Sequence, residues 1–277
     1  MWICPFANGH LQAVGTDAAG RRQYLYHPAW REQRDRAKHD RVLEVGMRLP
    51  GARQRVAKYL SLQGMPRERA LATAFRLLDL GMFRIGGETY ADMNGSYGLA
   101  TIEKRHVRVS HDSITFTYRA KSGQDHRVVV SDREARDAVA LLLKRRGGGP
   151  QLLAYRDGRR WRDVTSRDIN DFIKEVVGGD VSAKDFRTWH GTVAAAQSLA
   201  EAGAAAASSA ARRRAVRQAA EDVSEQLGNT PTVARKSYMD PRVIDRFEAG
   251  ETIETTNPGA AKSRRRAETA VVRLLKQ

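Results

Sequence analysis

The sequence predicts a mainly helical α+β protein, with a small three-stranded antiparallel β-sheet set among the helices and a short β-hairpin ahead of them. Three observations predict it. Apolar residues recur at one-face helical spacing through most of the chain after Pro66. Alternating, strand-like runs are confined to the first thirty residues and to the stretch 99–130. Capping residues and turn formers punctuate the rest. At 277 residues the chain is long enough for one or two domains with a real core.

In chain order, residues 10–14 and 23–27 alternate, with turn residues between Thr16 and Gly20, which predicts the hairpin. One hairpin is marginal alone. Either it packs on the rest of the chain or residues 1–28 are the remnant of a larger β-rich domain whose beginning is absent; a basic helical connector is expected to follow at 29–50. Pro66 opens a helix carrying Leu71, Ala74, Phe75 and Leu78, and Gly81 closes it. Residues 99–109, 114–119 and 126–130 form the predicted sheet, the second turn running from Ala120 to Asp125. Ser131 with Glu134 reads as a capping box before Ala135, Ala138, Val139 and Leu142. Residues 147–150 are a glycine-rich loop. Thr165 caps a helix with Ile169, Phe172, Ile173 and Val176, and Ser182 with Asp185 begins the one holding Phe186 and Trp189. Val216, Ala220, Val223 and Leu227 make a further face ended by Gly228, while Pro231 and Pro241 each start a helix. The main domain spans 51–250, and 251–277 reads as a polar basic tail or a weakly docked helix.

Lys and Arg number 48 against 32 Asp and Glu, a formal charge of +16. Such an excess repels itself in a compact state, and a polyanion relieves it; nucleic acid gains most, because neutralising phosphates releases counterions. A membrane is disfavoured, since no uncharged apolar run nears the roughly 18 residues of a span. The single cysteine, Cys4, forbids an internal disulfide and fits a reducing compartment, so a cytoplasmic protein is expected, associated with the nucleoid. The seven histidines show no zinc-ligand spacing, and neither a metal nor an organic cofactor is expected. Residues 21–55 hold ten Lys or Arg and four acids, interleaved with Tyr24, Tyr26 and Trp30, a pattern suited to the DNA backbone.

Three segments carry chemistry. An arginine, Arg84, stands in the apolar run Met82-Phe83-Arg84-Ile85-Gly86-Gly87; Lys121 occupies a tight turn; and Lys184-Asp185-Phe186-Arg187 is followed by Leu227-Gly228-Asn229-Thr230-Pro231 and by Tyr238. In this order, over residues 20–247, the sequence resembles the type IB DNA topoisomerases, in particular their compact bacterial and poxvirus-like branch. Arg21, Arg22, Gln23, Tyr24 and Tyr26 look like that family's DNA-contacting hairpin, and Lys38 and Arg41 follow at a matching distance. Arg84 and Arg187 match its two catalytic arginines, Lys121 its hairpin lysine, and Tyr238, nine positions after Asn229, its nucleophile. The resemblance implies the tyrosine-recombinase/topoisomerase IB catalytic fold, a monomer that clamps double-stranded DNA, and residues 1–28 as the remnant of that family's N-terminal β-rich DNA-clamping domain.

The residue types fit that chemistry. Tyr238 supplies a phenol, and nearby guanidiniums favour its phenolate. Arginine stays charged and grips phosphate with paired donors. Lys121 can exchange its proton and suits the acid for the leaving 5′ oxygen. Asn229 stands where the family usually carries His; its amide can donate to a phosphate oxygen but holds no titratable proton. His190 is expected to be structural. The nearest alternative is a tyrosine recombinase or integrase. Those enzymes place His three residues before the second arginine, where this chain has Lys184, which is counted among the DNA contacts. A non-catalytic DNA-binding protein would share the charge and leave the ordered residues unexplained.

Overall fold

The computed structural model describes residues 1–18, 20–87, 95–254 and 261–277. Two compact units divide after Glu44. A single helix, α1 (Pro28–Leu60), gives its first part to one and its remainder to the other, passing through Pro50.

In the first unit, β2 (Leu11–Thr16) and β3 (Arg22–Tyr26) form the expected antiparallel pair, in the register Val14↔Tyr24 and Leu11↔Tyr26. The unit is not a bare hairpin. A two-residue strand, β1 (Trp2–Ile3), pairs with β2 and makes a three-stranded sheet. Tyr24 stacks on Tyr26, and Tyr26 stacks on Trp30 at 4.4 Å between ring centroids.

The second unit is built around α2 (Arg67–Gly81), which buries residues on nearly every side rather than along one stripe, as a central helix must. Its Phe75 meets Phe186 edge to face at 5.1 Å. Around it lie α3 (Arg133–Lys144), α4 (Ser166–Val177) and α5 (Ala183–Ala202), then α6 (Ser209–Leu227), α7 (Pro231–Ser237), α8 (Pro241–Glu248) and α9 (Ala261–Lys276). The α4 and α5 boxes form as the sequence predicts, Thr165 with Asp168 and Ser182 with Asp185. At α3 the cap is Asp132, not Ser131; its carboxylate accepts from the Ala135 backbone.

The predicted sheet is present as β4 (Val107–Val109), β5 (Ile114–Arg119) and β6 (Asp125–Val130), all antiparallel. Residues 99–106 do not extend its first strand. Thr101 and Ile102 fold back onto Gly98, and Lys104–His106 forms a 3-10 turn. A further hairpin, β7 (Ala154–Asp157) with β8 (Arg160–Asp163), adds a sheet that the sequence reading lacks. No helix among the described residues is long and apolar enough to cross a membrane.

The C-terminal segment is a docked helix. In α9, Ala267 and Val271 are fully buried, and Glu268 and Arg264 enter a buried cluster with Asp79, Arg53 and His190. Arg53 clamps Asp79 through two nitrogens, at 2.8 and 2.9 Å, and also reaches Glu268. Burial pushes both carboxyls up, but cations win: Arg264 and Arg53 hold Asp79 well below 3.8, and Arg53 holds Glu268 below 4.5. Burial, and then Arg264, pushes His190 below 6.5.

All three groups therefore bind protons less readily when folded than when unfolded. Stability present above these ordinary values is lost on acidification, first below about 6.5 through His190, then more steeply below about 4.5 through the carboxylates. Urea unfolding from pH 8 to 4 should trace that two-step fall. Asp79→Ala, which strands buried cations, should cost roughly 3–5 kcal/mol at pH 7.5 and flatten the acid step.

Candidate active site

The end of α2 aims the first arginine. Met82 caps the helix in the left-handed region (φ 50°), turning the chain so that Phe83 packs inward on Phe116 at 4.9 Å and Arg84 follows on the other side. The backbone is then pinned: Leu99 donates to the Arg84 carbonyl and Ala100 to that of Ile85, each at 2.8 Å. Two glycines allow the approach. A methyl on Gly98 would lie 2.4 Å from the Gly86 nitrogen, so the two segments can cross only without side chains.

The end of α6 receives that arginine. Gly228 closes the helix at φ 59°, and its N–H and that of Asn229 turn back to the last helical carbonyls. Three acceptors then face outward. Arg84 Nη2 donates to the Gly228 carbonyl at 2.6 Å and to Asn229 Oδ1 at 2.5 Å, while Arg187 Nη2 donates to the Leu227 carbonyl at 2.7 Å. The negative end of a helix dipole thus holds both guanidiniums. Arg187 also donates to the Met82 carbonyl, joining the ends of α2 and α6.

Tyr238 follows the last residue of α7, and α5 fixes its backbone. Thr192 on α5 bonds the Tyr238 carbonyl at 3.4 Å and accepts from the Asp240 N–H at 3.1 Å. Gly191 leaves room for the same carbonyl. Arg187, one turn earlier on α5, lies over the Tyr238 ring at 5.2 Å. Burial of the phenol pushes its pKa up, but the Arg187 charge and hydrogen bonding, with Arg84 and Lys184 behind, bring it below 10.0. Lys184 is exposed in the first turn of α5.

Among the described residues neither Arg84 nor Arg187 has a carboxylate partner, although Arg187 is only 3% exposed. Burial, and then Arg84, weakens the hold of Arg187 on its own proton. Arg187 Nε and Asn229 Nδ2 are buried donors with no partner among those residues. Buried cations and orphan donors are costly unless an anion completes them. An oxyanion such as a phosphodiester meets every one of these needs, beside a nucleophile inclined to ionise.

The structure brings Arg84, Arg187, Asn229 and Tyr238 together. It does not join Lys121 to them: Lys121 is exposed on the 3-10 turn Lys121–Gly123 between β5 and β6. In the first unit, Arg21, Arg22, Gln23 and Tyr24 are exposed on or beside β3 and Tyr26 is half-buried, with Arg21 and Gln23 both bonded to Asp17. Lys38 pairs with Asp35 at 3.2 Å, and Arg41 is exposed on α1. His190 lies in the buried acid cluster, as a structural residue would. Sequence reasoning gave no role to Tyr118 and His126, which face each other across β5 and β6 next to the Gly228 turn. Strand alternation, with Ile114, Phe116 and Tyr118 on the buried face, was the available signal.

Two cations, an orphan amide and a softened phenol make a site whose charge and donors suit a phosphodiester. Residues 27–263 match the family described as eukaryotic DNA topoisomerase I, catalytic core, and the chain belongs to that family. It is similar to the DNA topoisomerase 1B of Acanthamoeba polyphaga mimivirus, 26% identical over 246 residues, covering 86% of this chain and 73% of the relative. It is also similar to the DNA topoisomerase 1B of vaccinia virus, strain Copenhagen, 22% identical over 236 residues, with 84% and 71% covered.

The geometry sets the phenol's titration. The ultraviolet difference between the intact protein and Tyr238→Phe should show one tyrosine ionising below pH 10. In Arg187→Gln burial becomes the dominant influence, and the midpoint should move above 10. An unshifted midpoint in the intact protein would contradict this arrangement.

Proposed function

We propose that the chain relaxes supercoiled DNA by cutting one strand and resealing it through a 3′-phosphotyrosyl link at Tyr238. The observation that carries this reading is the pair of guanidiniums, with no carboxylate partner among the described residues, packed beside that phenol. The Tyr238 phenolate attacks phosphorus, the bond to the 5′ oxygen breaks, and Lys121 gives that oxygen its proton. Resealing runs the steps in reverse, with the 5′ hydroxyl attacking and the phenolate leaving. The adduct conserves the ester's energy, so neither ATP nor another energy source is consumed. Between the two steps the free end swivels and supercoils are lost.

Arg84 and Arg187 neutralise the charge that gathers on the non-bridging oxygens, and the unpartnered Nδ2 of Asn229 offers a third donor. Lys184 adds positive charge near the phenol. Arg21, Arg22, Gln23, Tyr24 and Tyr26, with Lys38 and Arg41, hold the duplex backbone, which the net charge of +16 supports. The protein acts as a monomer clamped on duplex DNA in the cytoplasm.

Supercoiled plasmid incubated with the protein in EDTA without ATP should be relaxed, and denaturation in mid-reaction should trap protein on the 3′ ends. Tyr238→Phe should bind DNA and form no adduct; adducts in that variant would dismiss Tyr238 as nucleophile. Arg84→Ala and Arg187→Ala should each slow single-turnover cleavage by about 10²–10³-fold. Lys121→Ala should slow it by about 100-fold or more on a normal substrate. A 5′-thiol leaving group, which needs no proton, should restore most of that loss. Equal losses on both substrates would remove Lys121 from the role of acid.

A further inference from the structure

Tyr118 and His126 have no part in the chemistry above, yet they border it. They are cross-strand partners on β5 and β6, with rings edge to face at 5.7 Å. The Tyr118 hydroxyl lies 3.2 Å from His126 Nδ1. The opposite ring nitrogen, Nε2, faces the end of α6: a methyl on Gly228 would sit 2.8 Å from it. That turn carries the Gly228 carbonyl and the Asn229 amide held by Arg84, directly after the Leu227 carbonyl held by Arg187. The imidazole therefore borders, at Gly228, the turn whose carbonyls seat both guanidiniums.

With the Tyr118 hydroxyl as donor to Nδ1, the imidazole proton resides on Nε2. Burial pushes the Tyr118 phenol up to about 12, against the pull of Arg187 and Arg84, so at neutral pH it remains protonated and can donate. Burial, and then Arg84 and Arg187, pushes His126 down, so the ring is neutral while the site holds no anion. A neutral imidazole that accepts at Nδ1 carries its proton on Nε2. Nε2–H then points to the Gly228 turn, with no acceptor among the described residues. A donor without an acceptor, flanked by two cations, repels a third cation and suits an anionic oxygen.

We propose that His126, held in its Nε2–H form by Tyr118, is a further catalytic residue of this centre, donating to a non-bridging oxygen of the phosphate gripped by Arg84 and Arg187. The proposal rests on the phosphotyrosyl reading. Because the donor is fixed beforehand, its hydrogen bond strengthens as charge builds on that oxygen. The arriving phosphate also offsets the two arginine charges that, with burial, keep the ring neutral, and a ring protonated in response keeps its Nε2–H donor.

Single-turnover cleavage tests it with the scissile phosphate as the normal diester and as each of its two phosphorothioate diastereomers. His126→Ala should slow cleavage of the diester about 100-fold while binding DNA within twofold of wild type. On one diastereomer, where sulfur replaces the oxygen that His126 contacts, the same substitution should cost less than threefold; on the other it should cost the full amount. That coupling is specific to a contact. Tyr118→Phe should give a smaller loss, about tenfold, on the same pattern. His126→Gln, which keeps an N–H donor of similar reach, should recover most of the rate, and it carries the sulfur test should the alanine variant unfold. Cleavage by His126→Ala within threefold of wild type would overturn the proposal, and so would an equal loss on all three substrates. If wild type itself forms no Tyr238 adduct, this proposal and the reading beneath it fall together; an adduct without the coupling removes His126 alone.

Discussion

Two guanidiniums packed beside one another with no acid among their described partners repel, and what holds them is the carbonyl end of α6. Leu227 and Gly228 offer backbone oxygens, Asn229 adds its side-chain oxygen, and Met82 contributes the corresponding carbonyl from α2. Hydrogen bonds from a charged group are worth roughly 1.5–3 kcal/mol each, enough to fix the arginines without cancelling their charge. A carboxylate in the same place would hold them more tightly and leave nothing for a phosphate. Carbonyls orient; they do not neutralise. The left-handed turns at Met82 and Gly228 follow from this need, because each presents helix-end carbonyls toward the same point.

The acids are kept elsewhere. Asp79 and Glu268 are buried against Arg53, Arg264 and His190, on the part of α5 one turn beyond Arg187. Helix α5 thus serves two electrostatic environments. Near its start it carries Arg187, with no carboxylate among its described partners; at His190 it joins a saturated cluster that locks α9, α2 and α1 together. The segregation explains how a chain with 32 acidic residues keeps an anion site open. It also gives α9 a structural task, since its Glu268 completes the charge balance of Arg53.

Much of this was legible in the sequence, and the failures have identifiable causes. Capping boxes at Thr165 and Ser182 and the glycine stop at Gly228 announced their helices, because each is a local hydrogen-bond or backbone requirement. Arg84, Arg187, Asn229 and Tyr238 were found through family resemblance, not from spacing, since nothing local reveals that four distant segments converge. Residues 99–106 read as strand from their alternation, but the Gly86–Gly98 crossing bends them away, a tertiary effect. The β7–β8 hairpin was missed because Arg156, Arg160 and Arg162 dilute any apolar pattern on a pair that is mostly exposed. The C-terminal helix hid behind its arginine run, since the burial of Glu268 depends on Arg53, 215 positions away, and on His190, 78 positions away. His126 lay inside a correctly placed strand, but its importance depends on the α6 turn, which lies far along the chain.

The separation of Lys121 from the other four residues has a chemical logic. In displacement at phosphorus the attacking and leaving oxygens lie roughly in line on opposite sides. The groups that hold the phosphate and activate the nucleophile belong together on one side; the proton donor for the leaving oxygen belongs across from them. Lys121 is exposed on a turn anchored at both ends by the β5–β6 ladder, an accessible place for the proposed acid. The β5–β6 ladder also carries Tyr118 and His126 on its near part. On the proposed reading, one hairpin supplies both a donor to the phosphate and the acid for the departing oxygen, while the helix ends hold the two arginines.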